Sequence, residues 1–200
     1  MSTEKFEQLP QPKKDTILNA AILCFGRSGY DKTAISEIAK EASISKAAVF
    51  HYFGTKEELF IYLVKYVRQE VGESTPKMTD DFFETLVLYV NSHFQLIRKH
   101  PGLFEFIVIV NQMVANKSFE PLTNLSEGYQ EMTAATIYKN VNWEKFKPEY
   151  EQSKILNLTT WVATGFLTQM GNDIDDSEVM GEIQAYLDVI KQSMYKSEYL

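Results

Sequence analysis

The sequence predicts an all-α protein: three short N-terminal helices, one long connecting helix and a larger C-terminal bundle. Three observations carry this. Apolar residues recur at three- and four-residue spacing along nearly the whole chain. No stretch shows convincing strand alternation. Gly, Pro and Ser/Thr positions fall where helices must start or stop.

The elements follow in order. Met1 to Lys14 is polar, with no apolar run of the kind a secretory signal needs. Residues 1–12 read as a flexible arm. Ile17, Ala20, Ala21, Cys24 and Phe25 form one apolar face of a helix from about Lys13 to Arg27, and Gly26 and Gly29 mark its end. Ile35, Ile38, Ala39 and Ala42 give a short second helix, with Thr33 placed to cap it. Ser43 breaks the pattern. A third short helix runs from Ser45 through Phe53 and stops at Gly54. Thr55-Lys56-Glu57-Glu58 is a capping box in which Thr55 and Glu58 exchange hydrogen bonds. It starts a long helix through Leu59, Leu63 and Tyr66 to about Val71. Residues 72–76 read as a linker. Further helices are expected at about 79–99, 102–115, 119–140, 148–170 and 176–196, with Pro101, Pro121 and Pro148 near helix starts.

Composition sets the class. Of 200 residues, 44% are hydrophobic, enough to build a real core. No run approaches the roughly 18–20 apolar residues of a membrane span. The single cysteine, Cys24, excludes an intrachain disulfide and a multi-cysteine zinc site; between Leu23 and Phe25 it reads as a buried small hydrophobe. A cytoplasmic chain is expected, with no membrane contact and no cofactor or metal. The net charge of −7 is unevenly spread: residues 1–56 carry 8 Lys/Arg and 6 Asp/Glu, whereas 57–200 carry 12 and 21. That asymmetry points to nucleic acid at the N-terminal end.

The informative stretch runs from Thr33 to Leu59. Two short helices joined by a tight turn at about Ala42 to Ile44 form a helix-turn-helix, locked by Ile35, Ile38, Ala39, Ile44, Val49 and Phe53. The second helix presents Ser45, Lys46, Ala47, Ala48, His51 and Tyr52 outward. Small residues admit the helix to a major groove, polar ones meet base edges, and Lys meets phosphate or guanine.

These residues resemble the TetR family of regulators. The likeness rests on Thr33, the Ile38-Ala39 pair, Ile44-Ser45, the run Phe50-His51-Tyr52-Phe53, and Lys56 followed by Leu59. Ser43 and Ala47 stand where the family often has Gly, and Phe50 replaces a common Tyr. The resemblance implies that Thr33 holds a phosphate. It implies that Ser45, Lys46, Ala47 and Ala48 face base edges, and that Phe50 meets a thymine methyl. His51 and Tyr52 would reach sugar-phosphate, and Lys56 would clamp a further phosphate. It divides the chain into a DNA-binding domain, 1–56, and a ligand-binding and dimerisation domain, 57–200. The partners are then double-stranded DNA with a palindromic operator, a second copy of the chain, and a small-molecule effector that releases a repressor.

For the effector pocket the candidates are Phe82, Phe104, Phe106, Tyr129 and Trp161, with Asn91, His93 and Asn111 as polar groups. For the dimer interface they are Trp161, Gly165 and Thr168, with a stripe of Val179, Ile183, Tyr186, Leu187 and Ile190. The resemblance pairs these with their two-fold copies; the stripe read alone could equally pack inside the subunit. The long helix carries Lys56 at one end and reaches the bundle at the other, which makes it the expected lever. His51, His93 and His100 show no metal or catalytic spacing, so an enzyme is disfavoured. A helical interaction module without DNA binding stays open, because the body is acidic.

Overall fold

In a computed structural model, residues 3–75, 77, 79–122, 138–169 and 176–200 are described; of these, the side chains of 163, 164, 166–169 and 176–178 are not. The described residues are helical, with no strand beyond an isolated bridge between Phe146 and Tyr195. The helices are α1 (Thr3–Glu7), α2 (Gln11–Lys32), α3 (Ile35–Glu41), α4 (Lys46–Phe53), α5 (Lys56–Ser74), α6 (Phe82–Lys99), α7 (Leu103–Ala115), α8 (Gln152–Gln169) and α9 (Asp176–Met194). No helix among the described residues is long and apolar enough to cross a membrane.

The chain forms two compact units: Met1–Ser74 with Gln95–Gln130, and Thr75–Phe94 with Glu131–Leu200. In the first, Ile17, Leu18, Ala21, Ile22 and Phe25 of α2 are buried with Ile38, Val49, Phe53, Leu59, Phe60 and Leu63. Cys24 belongs to this core, and burial pushes its thiol up to about 11, so it packs as a hydrophobe. In the second unit, Phe82, Phe83, Phe146 and Tyr195 are buried together. Asp81 caps α6 by accepting from the N–H groups of Phe83 at 3.0 Å and Glu84 at 3.1 Å.

Several boundaries differ from the expectation. The arm is a helix: α1 buries Phe6 completely, against Phe53 and Tyr62. One large apolar side chain in a polar segment suffices to fix a short helix when a hydrophobic groove receives it. Gly26 does not end α2. It admits the α6–α7 turn, because a Cβ there would lie 2.6 Å from the Gly102 carbonyl oxygen. The break comes at Gly29, with φ 77° and ψ 168°, and the helix resumes to Lys32. The capping box is half made. Thr55 Oγ1 accepts from the Glu58 N–H at 3.0 Å, but the Thr55 N–H donates to the Phe53 carbonyl at 3.1 Å. The helix placed near Pro148 starts at Gln152, after a 3-10 turn at Trp143–Lys145. Most of the helix expected over 119–140 lies outside the described residues.

Candidate nucleic-acid interface

α3 ends at Glu41 with Ala42 as its C-cap, and Ser43 turns left-handed, with φ 52°. The Ser43 N–H donates to the Lys40 carbonyl at 3.1 Å and the Ile44 N–H to the Ala39 carbonyl at 2.9 Å, the paired closure of a Schellman motif. Ser45 then caps α4, its Oγ accepting from the Ala48 N–H at 3.0 Å. Its O–H remains a donor. Val49 and Phe53 pin the inner face of α4 into the core.

The outer face is thereby fixed. Ser45, Lys46, Ala47, Phe50 and His51 are exposed, and Ala48 is half-buried. Phe50 is 41% exposed, which places it outside the core. The Lys46 ammonium lies 5.8 Å from the Phe50 ring centroid, so the two share one surface. Tyr52 is half-buried and leans on Phe6, with ring centroids 6.2 Å apart. Lys56, in the first turn of α5, donates to the Asp31 carbonyl at 3.2 Å and lies 4.7 Å over the Tyr30 ring.

Thr33 is different. It is 1% exposed, and its hydroxyl faces two carbonyls, Gly29 at 2.7 Å and Cys24 at 3.1 Å. Its N–H goes to Gly29 as well. Both the N–H and the hydroxyl of Thr33 are thus engaged with carbonyls of α2 at and before the break at Gly29. It neither caps α3, whose N-cap is Ala34, nor presents anything to a phosphate.

The other candidates scatter. Phe82 is buried in the core of the second unit and Phe106 in that of the first, where it meets Phe60 of α5 at 5.5 Å. Phe104 is half-buried, while Asn91 and Asn111 are exposed. His93 is half-buried, its Nδ1 3.0 Å from the Tyr89 carbonyl, and burial lowers its pKa. Tyr129 and the side chain of Thr168 lie outside the described residues. Trp161 is 70% exposed, so it belongs to a surface and not to a pocket. Val179, Ile183 and Leu187 are buried inside the second unit and Ile190 packs against them. The stripe on α9 therefore serves the subunit's own core. Among the described residues, the large hydrophobic side chains that α8 and α9 expose are Leu158, Trp161, Tyr186 and Val189, and Gly165 of α8 is half-buried. Sequence reading missed Phe6, Tyr30 and the Asp31 carbonyl; a lone Phe two residues from Gln8-Leu9 was the available signal for the first.

The family model described as "Bacterial regulatory proteins, tetR family" matches residues 17–63, which span α2 to the middle of α5. The fatty acid metabolism regulator protein of Bacillus subtilis (strain 168) is 30% identical over 114 residues, 54% of this chain and 55% of that protein. The chain thus spans about half the length of that relative. The biofilm operon icaADBC HTH-type negative transcriptional regulator IcaR of Staphylococcus aureus (strain Newman) is 21% identical over 188 residues, 86% of this chain and 95% of that one. Two solved structures share the fold. A TetR family transcriptional regulator from Chloroflexus aurantiacus has a TM-score of 0.61 at 18% identity, covering 97% of this chain and 98% of that one. The ketosteroid transcriptional regulator KstR2 of Mycobacterium tuberculosis has a TM-score of 0.69 at 15% identity, covering 95% and 98%. Residues 17–63 thus match the helix-turn-helix domain of the TetR family, and the chain as a whole shares its fold with TetR-family transcriptional regulators.

Proposed function

We propose that this regulator is a repressor that binds a palindromic operator as a homodimer and is released by a small-molecule effector. The observation that carries the DNA reading is the outer face of α4. Val49 and Phe53 face inward, while Ser45, Lys46, Ala47, Phe50 and His51 lie open on one surface. Ala47 and Ala48 admit the helix to the groove. Lys46 reads guanine or meets a phosphate, and Phe50 meets a thymine methyl. His51 and Tyr52 reach sugar-phosphate, and Lys56 clamps a phosphate. The negative sign is supported by the likeness to IcaR, a negative regulator.

A working division at residue 56 separates the DNA-reading part, 1–56, from the part that binds effector and partner, 57–200. The exposed apolar side chains Leu158 and Trp161 on α8, and Tyr186 and Val189 on α9, support pairing with a two-fold copy as a four-helix arrangement. For the effector, His93 is a half-buried polar group of the second unit. The aromatic content favours an apolar ligand, and the relative that acts as a fatty acid metabolism regulator fits that choice.

Selection of bound fragments from genomic DNA tests the reading. An inverted repeat shared by the fragments is expected, with half-sites about 34–36 Å apart or somewhat more. Fragments with no shared inverted repeat contradict it. Metabolites screened against the selected duplex should include one that releases it.

A further inference from the structure

Lys56 has a seat of its own. A lysine side chain has many rotamers, so a free ammonium samples many positions. The first turn of a helix also repels a cation, and Glu57 and Glu58 follow directly in sequence. Yet the ammonium is held at two points on the end of α2. The Asp31 carbonyl, in the last turn of α2, accepts one N–H at 3.2 Å, at the helix pole that favours positive charge. The Tyr30 ring lies 4.7 Å below it. An ammonium has three N–H donors, so this seat leaves donor capacity for a third partner.

The ring itself is fixed from several sides. It stacks on Phe25 at 6.1 Å and 15°, and it meets Phe60 at 4.9 Å and Phe119 at 4.7 Å. The turn that delivers Tyr30 and Asp31 is set by Gly29, and Thr33 ties that turn by its hydroxyl. The buried Thr33 thus acts on the same seat from below.

We propose that Tyr30 is a positioning residue for DNA binding: the face of its ring, with the Asp31 carbonyl, holds the Lys56 ammonium where it meets a phosphate. This rests on the reading of Lys56 as a phosphate clamp. The ring face does the positioning and the hydroxyl is dispensable, so Phe replaces Tyr30 and Leu does not.

The test is a double-mutant cycle on the full-length protein, with affinity for the genome-selected duplex measured for Tyr30→Phe, Tyr30→Leu, Lys56→Ala and the Tyr30→Leu/Lys56→Ala pair. Tyr30→Phe should stay within about twofold, and Tyr30→Leu should weaken binding about 3- to 10-fold, the range of an exposed to partly desolvated cation–π contact. In the Lys56→Ala background, Tyr30→Leu should have no further effect. Equal losses in both backgrounds overturn the proposal, because Tyr30 then acts through the fold alone. An unaffected Lys56→Ala overturns the clamp reading and this proposal with it. A second measurement needs no variant that must fold: in the unmodified protein without DNA, the NMR shifts of the Lys56 ε-methylene protons should lie upfield under the ring. Random-coil shifts there contradict the seat.

Discussion

The ring of Phe6 lies 4.7 Å from that of Phe53, and this contact fastens α1 to the inner face of α4. Tyr62 closes the same cluster and donates its hydroxyl to Glu7, so α1 is tied by a ring contact and a hydrogen bond to α5 as well. Both side chains of the Phe6–Phe53 pair are fully buried. Phe6→Ala should therefore cost about 3–5 kcal/mol, the usual penalty for emptying a buried Phe site. Urea unfolding measures it. A loss below about 1 kcal/mol would show that α1 is not part of the packed domain.

Ser43 holds φ 52°, a conformation that costs an L-residue about 1–2 kcal/mol and costs glycine little. Ser43→Gly should stabilise the protein by roughly 0.5–1 kcal/mol, since the entropy of glycine in the unfolded chain offsets part of the gain. The turn geometry and DNA affinity should be unchanged. Destabilisation in thermal unfolding would mean that the Ser43 side chain makes a compensating contact.

The two ends of the chain differ in how well they could be read in advance. The helix-turn-helix was legible because its signals are local: Ser45 caps, Gly54 stops, and Val49 and Phe53 repeat at four residues. The arm was misread because the groove that receives Phe6 is built by residues some 47 to 56 positions away. Thr33 was misread for a related reason. Its position before α3 suits a cap, but its hydroxyl turns back to the Cys24 and Gly29 carbonyls of α2. On α9 the apolar stripe is legible in the sequence, but what covers it is not. A periodic apolar face says that something covers it, not whether that cover is the same subunit or a copy.

The exposed face of α8 and α9 separates those two covers. Trp161→Glu or Tyr186→Glu should yield a folded monomer in sedimentation, because both side chains are exposed, at 70% and 56%. Ile183→Glu should instead unfold the second unit, since Ile183 is 1% exposed and a charge there has no partner in its core. Dimers that survive both surface substitutions would move the interface elsewhere.

His100 sets an acid limit on stability. It is 1% exposed, with Nδ1 2.6 Å from Asn19 Oδ1 and Nε2 3.3 Å from the Tyr66 hydroxyl. Asn19 donates through Nδ2 to the Lys99 carbonyl, so its oxygen faces the ring and Nδ1 carries the proton. Burial lowers the pKa of His100, with Glu70 pulling it up and Lys99 pushing it down. The unfolded imidazole takes its proton near its usual pKa of about 6.5 and the folded one at lower pH. Below about 6.5 the unfolded state therefore holds more protons, and stability falls as pH drops through that window. His93, lowered by its own burial, acts in the same direction. Despite burial, Glu70 is held below its usual range by Lys99, and Asp81 by the Glu84 N–H together with Lys191 and Lys145, so their contribution is lost only at more acidic pH. His100→Gln should flatten the slope of unfolding free energy between pH 7 and 5 (roughly the upper window). An unchanged slope would mean that His100 takes up its proton as readily in the folded state as in the unfolded one.

The most direct measurement is equilibrium binding to the genome-selected duplex across a salt series, for the unmodified protein and for Lys46→Ala and Lys56→Ala. The unmodified protein should bind with a steep inverse dependence on salt. Lys56→Ala should weaken all sequences about equally and reduce the slope by about one unit for each protomer bound, as loss of one phosphate contact requires. Lys46→Ala should also shift base preference in the half-site. Binding that ignores salt, or that neither substitution changes, would contradict the assignment of the outer face of α4 and the start of α5 as the surface that meets DNA.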